Sequence, residues 1–306
     1  MSNKIIFMGT PFFSVPILKS LFYSNYKIEC VYTQTPKKKS RGQRIEKNPV
    51  HIESEKLNIP VRHPETLNND KEYNFIKNSE VNYFIVSAYG QIIPKKILNI
   101  PNKFFLNIHA SLLPRWRGAA PIQRSIIEMD KKTGISIMKI VPKLDAGPYM
   151  MQEVVNIEKK DNFNLLSKKL SILGSQLILK SLDQLIAKKA NFINQEENKV
   201  TYAKKIEKKE SMIDWNISAK KLIAKIKGLN PFPGVWFKHL NIRIKIIDAV
   251  EVEQKGKAGE VLDENLVIAC KDKAIKILSI QKEGKNILNT KSFLAGYKIK
   301  KGEILF

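Results

Sequence analysis

"KIIFMGTPFFSVPILKSLFYSNYKIECVYTQ", residues 4–34, decides the fold. KIIFMG (4–9) is a short apolar run of the kind that fills a strand buried on both faces. Gly9-Thr10-Pro11 turns the chain, and an amphipathic segment from Ser14 to about Tyr23 reads as a helix with Ser14 as its N-cap. KIECVYTQ (27–34) is a second strand. The alternation continues with helical patterns at 49–57 and 70–79 and strands at 82–87 (NYFIVS) and 104–108 (FFLNI). Strands separated by helices predict an α/β fold built on a doubly wound, mostly parallel, Rossmann-like sheet. Such sheets bind ligands outside the carboxyl ends of their strands.

Two further strands are expected at 133–141 and 149–157, on either side of PKLDAGP, and a long helix from about Asn162 to Ala187. Residues 190–207 are polar and aperiodic and read as a linker. Beyond 208 the texture changes. After a short helix (Ser218 to Lys227) and the break LNPFPGVW (229–236), short β-rich runs alternate with Gly turns, which predicts a small antiparallel, OB-like β-barrel. The expected division is therefore 1–189, a linker at 190–207, and a barrel domain at 208–306.

The 306 residues suffice for two cores, and 43% hydrophobic content with 8% aromatics fits a globular chain. No window reaches the roughly 18 uninterrupted apolar residues of a membrane span. The first residues resemble neither a secretory leader nor a transit peptide, so the expected home is the cytoplasm, with no membrane association. Cys30 and Cys270 lie far apart without a C-x-x-C, which argues against a disulfide framework or a zinc site. The four histidines have no metal-ligand spacing, so no metal is expected. Net charge is +24, which suits a polyanionic partner. A chain heavy in Lys, Ile and Asn could also owe much of that charge to an AT-rich genome.

Chemistry concentrates in LNIHASLLPRWRGAAPIQRS (106–125). Asn107 and His109, two apart on a strand, point to one face at the strand's end. Asp145 sits in a turn between two other strands that could bring it to the same edge. An imidazole exchanges protons near neutral pH, an amide donates to a developing oxyanion, and a carboxylate steadies an imidazolium. That set suits acyl or formyl transfer to an amine. A strand cap, a satisfied core histidine and a turn former would account for the same three residues. FMGTPFF lacks the later glycines of G-x-G-x-x-G and the lysine of a P-loop, which disfavours dinucleotide binding. QTPKKKSRGQRIEKNP (34–49) carries Lys37, Lys38, Lys39, Arg41, Arg44 and Lys47 against one Glu. It follows the second strand, on the edge of the proposed site, where it could hold nucleic-acid phosphates or be a solvated loop.

Together with SAYGQIIP (87–94), LDAGPYM (144–150), VTYAKKI (200–206) and LNPFPGVW, the run NIHASLLPRWRGAAPIQRS resembles the methionyl-tRNA formyltransferase family over essentially the whole chain. The resemblance implies formyl transfer from 10-formyltetrahydrofolate to the α-amino group of methionyl-initiator tRNA, for translation initiation. It implies that Asn107 binds the formyl oxygen, that His109 is acid, base and oxyanion partner, and that Asp145 orients and charge-balances His109. Ser111, Leu112, Leu113 and Pro114 would line the folate site, with Tyr89, Gly90, Gln91 and Ile92 in the pterin pocket. Arg41 would reach the acceptor stem, with Lys37, Lys38, Lys39 and Arg44 beside it, and the barrel would grip the tRNA. A bacterial cytoplasmic monomer is the expected setting. Two alternatives remain: a folate-dependent formyltransferase acting on a small amine, which would need neither basic loop nor barrel, and a non-catalytic RNA-binding protein on the same fold.

Overall fold

The computed structural model describes residues 3–39 and 44–306. In chain order, the first part contains β1 (Lys4–Gly9), α1 (Val15–Phe22), β2 (Lys27–Tyr32), β3 (Lys37–Lys39), β4 (Arg44–Glu46), α2 (Pro49–Lys56), β5 (Val61–Arg62) and α3 (Asp70–Asn78). Next come β6 (Tyr83–Ser87), α4 (Lys95–Leu98), β7 (Phe104–His109), β8 (Arg117–Gly118), α5 (Pro121–Ile127), β9 (Lys132–Lys139), β10 (Tyr149–Asn156) and α6 (Phe163–Ile186). The remainder comprises β11 (Tyr202–Ala203), α7 (Ala219–Leu229), β12 (Val235–His239), β13 (Ile242–Val252), β14 (Val267–Ala269), β15 (Ala274–Lys282), β16 (Ile287–Asn289) and α8 (Thr290–Gly296). Two compact units result: residues 1–118, 133–156 and 167–202, and residues 119–132, 157–166 and 203–306.

The first unit holds a seven-stranded sheet in the order β10-β9-β7-β6-β1-β2-β5. From β5 through β7 the pairings are parallel, and β9 joins β7 antiparallel. The mostly parallel α/β expectation therefore holds. Ile5, Ile6, Phe7 and Met8 are fully buried, as the unbroken apolar run of β1 requires when helices cover both faces. The chain runs from β1 outward to β2 and β5, then returns to place β6 on the other side of β1. That reversal is the switch point at which such sheets open a ligand crevice, and the turns after β1 and β6 border it. α6 lies close to β7: a Cβ on Gly174 would come 2.9 Å from Ile108 Cγ2. A larger residue there would push the helix off the strand that carries the site.

Ser14 differs from expectation. It occupies the position before α1, but its hydroxyl makes no cap bond. It donates instead to the Ser87 carbonyl at 2.6 Å and lies 3.0 Å from the Ser87 hydroxyl, so it ties the β1 turn to the end of β6. A buried hydroxyl takes whichever acceptor the tertiary fold supplies.

In the second unit β12-β13-β15-β14 form an antiparallel sheet with β16 added to β15. The backbone closes the ring. Val261 bridges Ile268 of β14, Glu260 bridges Ile304, and the Lys238 N–H donates to the Phe306 carbonyl. Phe237, Ile244, Ile246, Ile275 and Ile280 fill the interior with no exposure, joined by Leu222 and Ile226 of α7 and Ile127 of α5. α5 and α7 approach closely enough that a Cβ on Gly228 would lie 2.8 Å from Ile127 Cγ1. Among the described residues no helix is long and apolar enough to cross a membrane.

Candidate active site

β7 delivers Asn107 and His109 to the carboxyl edge of the sheet, with Asn107 opposite Val86 of β6 and Met138 of β9. His109 is buried, 5% exposed. Its Nε2 lies 2.8 Å from the Trp116 carbonyl oxygen. A carbonyl can only accept, so Nε2 carries the hydrogen and Nδ1 of the neutral ring is a lone pair. Nδ1 faces Asp145 Oδ2 at 3.7 Å. At that separation the pair attracts once the imidazole is protonated, and until then Nδ1 is the nitrogen open to a proton. Asp145 Oδ2 also accepts the Gly118 N–H at 2.8 Å, which fixes the carboxylate. Asn107 is half-buried, and among the described residues its side chain makes no hydrogen bond. A half-buried amide without a protein partner is what a carbonyl or oxyanion ligand needs.

The stretch from Ser111 to Gly118 is held by its neighbours. The Ser136 hydroxyl of β9 donates to the Ser111 carbonyl at 2.6 Å and accepts the Leu113 N–H at 3.1 Å. Gln152 donates to the Leu113 carbonyl and to the Ser136 hydroxyl, both at 2.8 Å. The Ser111 hydroxyl is consumed within the loop, donating to the Arg115 carbonyl at 2.6 Å. Ser111 and Leu113 are buried, whereas Leu112 and Pro114 are half-buried and offer the accessible apolar surface. Trp116 adopts φ +64, a left-handed conformation uncommon for a bulky residue, and its N–H donates to Thr201 Oγ1 at 2.9 Å.

The turn after β6 is pinned from three sides. Thr10 Oγ1 donates to the Tyr89 carbonyl at 2.8 Å, Gln34 Nε2 to the Gly90 carbonyl at 2.9 Å, and Gln91 Nε2 to the Pro64 carbonyl at 2.8 Å. Gly90 has φ +80, and a Cβ there would collide with the Gln34 amide. The Tyr89 ring is buried, and burial pushes its phenol up from its ordinary value. Ile92 is 89% exposed, an apolar side chain presented to solvent beside the crevice. A cleft of about 520 Å³ lined by Phe22, Tyr26, Lys27, Leu57 and Pro60 lies at the opposite, amino-terminal end of β2 and gathers no comparable set of groups.

β3 and β4 form a short antiparallel hairpin in which Lys37 pairs with Glu46 and Lys39 with Arg44. Lys37 is exposed, and its Nζ donates to Gln34 Oε1 at 3.1 Å, on the same Gln34 that holds Gly90. For Lys38, Lys39 and Arg44 only the backbone is described, and Arg41 lies outside the described residues. Cys30 and Cys270 are buried with thiols pushed up to about 12 by burial, which leaves neither as a nucleophile near neutral pH.

Several site residues escaped the sequence reading. The Trp116 carbonyl that holds His109 is a backbone group and leaves no mark on composition. Ser136, Gln152, Arg117 and Gln195 are ordinary polar residues whose roles depend on distant partners. The structure brings Asp145, at φ +44 in the turn KLDAGP, to within 3.7 Å of His109 on β7.

The chain matches the formyl transferase family over residues 3–182 and the formyl transferase C-terminal domain over residues 205–298. The methionyl-tRNA formyltransferase of Pelagibacter ubique is 50% identical over 304 residues, covering 99% of this chain and 98% of that protein. That of Rickettsia bellii is 41% identical over 300 residues, covering 96% and 97%. Among solved structures, HypX from Aquifex aeolicus in complex with tetrahydrofolic acid superposes with a TM-score of 0.67 at 18% identity, over 99% of this chain and 50% of that one. The methionyl-tRNA formyltransferase from Clostridium thermocellum gives 0.56 at 18% identity, over 81% and 92%. At such identities the two structures speak to the fold alone.

Proposed function

The chain belongs to the methionyl-tRNA formyltransferase family, and from that membership we propose how its own residues carry the reaction. It transfers the formyl group of 10-formyltetrahydrofolate to the α-amino group of methionyl-initiator tRNA. Relatives aligned over nearly the full chain carry that name, which does not favour the small-amine alternative.

The observation that carries the site assignment is the unengaged Asn107 amide beside a histidine whose Nδ1 alone is open. The neutral amine attacks the formyl carbon. A new C–N bond forms, and negative charge moves to the formyl oxygen. Asn107 Nδ2–H donates to that oxygen, where a preorganised donor gains most because the charge appears only in the transition state. His109 Nδ1 takes the proton that the amine loses. The imidazolium is then held between the Trp116 carbonyl at Nε2 and the Asp145 carboxylate at Nδ1. The same proton returns to the folate nitrogen as its C–N bond breaks, so protons balance over the cycle. Leu112 and Pro114, with the turn at Tyr89, Gly90, Gln91 and Ile92, would border the donor.

The basic segment, with Lys37, Lys38, Lys39, Arg41 and Arg44, would bind the phosphates of the acceptor stem, and residues 208–306 would bind the body of the tRNA. The setting we propose is a monomer in the bacterial cytoplasm. Labelled formyl from 10-formyltetrahydrofolate, offered methionyl-initiator tRNA, glycinamide ribonucleotide and free methionine side by side, tests the function. Label should enter the tRNA alone, and label in a small amine would reverse the assignment.

A further inference from the structure

Residues 190–202 do more than connect. The Ile193 carbonyl accepts from the Tyr149 N–H at 3.0 Å, and the Ile193 N–H donates back to the Tyr149 carbonyl at 2.8 Å, so this segment is tied to the start of β10. Two residues on, Gln195 reaches the turn that carries Asp145. Its Nε2 donates to the Asp145 carbonyl at 2.8 Å and to the Gly147 carbonyl at 2.7 Å. Its Oε1 accepts from Arg117 Nε at 2.9 Å. Rotating the amide by half a turn would set its oxygen against two carbonyls and its NH2 against a guanidinium, so this orientation is the only one the surroundings allow.

Arg117 is fully buried, and its Nη2 donates to Glu197 Oε1 at 2.9 Å while its backbone N–H donates to the Thr201 carbonyl at 2.9 Å. A buried guanidinium bonded by Gln195 and Glu197, on a backbone tied to Thr201 of the same segment, is a firm post. Gln195 braces against that post and grips the 145–147 turn on both sides. That turn needs gripping: Asp145 is a left-handed non-glycine residue, a conformation that persists only where surrounding contacts impose it. Gly147 packs so tightly that a Cβ would overlap the Lys139 carbonyl.

We propose that Gln195 is a positioning residue for formyl transfer, setting the Asp145 carboxylate against His109 and the Gly118 N–H. It touches no reacting atom and acts only through Asp145. The inference rests on the assignment of Asp145 and His109 above.

Two substitutions test it. Gln195→Ala removes all three hydrogen bonds. Gln195→Glu keeps the length and the acceptor toward Arg117 but loses both donors, and it sets a carboxylate against two carbonyls. Both should lower kcat about 10- to 100-fold while KM for tRNA and for folate stays within twofold, because misplacing a catalytic group by a fraction of an ångström raises the barrier without weakening binding. The Gly118 amide proton, hydrogen-bonded to Asp145 Oδ2, should shift upfield in both variants, a readout that requires no turnover. Wild-type kcat in Gln195→Glu with an unmoved Gly118 resonance would overturn the proposal and reduce Gln195 to packing. A wild-type enzyme that fails to formylate the tRNA overturns the assigned function instead, and the Gly118 resonance still reports on the grip.

Discussion

His109 Nε2 donates to the Trp116 carbonyl at 2.8 Å, so the hydrogen of the neutral imidazole is committed to the backbone of its own loop, seven residues along the chain. Nδ1 is thereby left to face Asp145, and the tautomer is decided by the loop while the carboxylate waits for the charge. Two consequences can be separated by experiment. His109→Ala removes the proton transfer, and should lower kcat by about 10²- to 10³-fold with folate affinity retained. Asp145→Asn keeps the acceptor for Gly118 but not the charge, so its loss should appear in kcat over the whole pH range. Steady-state kinetics on methionyl-initiator tRNA decides, and near-normal turnover in His109→Ala would remove the assigned role.

Asn107→Ala should cost about 3 kcal/mol of transition-state stabilisation, on the scale of a single oxyanion donor. The fold should tolerate it, since no protein group loses a partner among the described residues. Equal thermal midpoints beside a collapsed kcat is the expected result. A loss confined to KM would mean that the amide binds ground-state substrate only.

Arg41→Ala, and Lys37→Ala beside it, should weaken use of tRNA and leave folate affinity intact. Removing one phosphate contact should also lower the salt dependence of tRNA binding by about one unit of slope. Filter binding over a salt series measures both numbers. A defect in folate binding alone would dissociate the basic segment from the nucleic acid.

Gly147→Ala should destabilise the first unit by about 1–3 kcal/mol or more, because the obstruction is the Lys139 carbonyl, a backbone atom that cannot rotate away. It should also lower kcat, since the displaced turn carries Asp145. Urea unfolding and activity should fall together, and an unperturbed midpoint would show that the strands can separate to admit the methyl.

Glu197 is held down to about 2 by its hydrogen bond from Arg117 and then by that from Lys143. Its folded value lies below the ordinary 4.5, so the stability it contributes is present above 4.5 and is lost as pH falls toward 2. Glu197→Gln should therefore have a lower urea midpoint than wild type at pH 6, and the gap should close by about pH 2. Because the carboxylate is 61% exposed, added salt should narrow the gap at pH 6 as well. A gap independent of pH would assign the effect to packing.

Much of this was legible because it is local. Ile5 through Met8 announce a doubly covered strand whatever surrounds them, and the period of two on β7 puts Asn107 and His109 on one face without reference to the rest of the chain. Ser14 shows the limit: its sequence context fits a helix cap, yet burial beside Ser87 offers its hydroxyl a stronger claim. Gln195 shows it more sharply. In a polar, aperiodic stretch nothing distinguishes it from Asn194 or Glu196, and its partners Asp145 and Arg117 lie 50 and 78 residues away.

The amino-acid sequence by itself determined the alternation of strands and helices, the edge of the sheet where chemistry could gather, and the residue types able to perform it, because periodicity and side-chain chemistry are properties of neighbours along the chain. Only the tertiary structure decided which imidazole nitrogen carries the hydrogen, how Asp145 is held, and that residues 193–201 brace the site. Those outcomes rest on backbone carbonyls and buried donors finding partners across large separations in sequence, and hydrogen-bond satisfaction in a packed interior is settled by the whole fold rather than by any one segment.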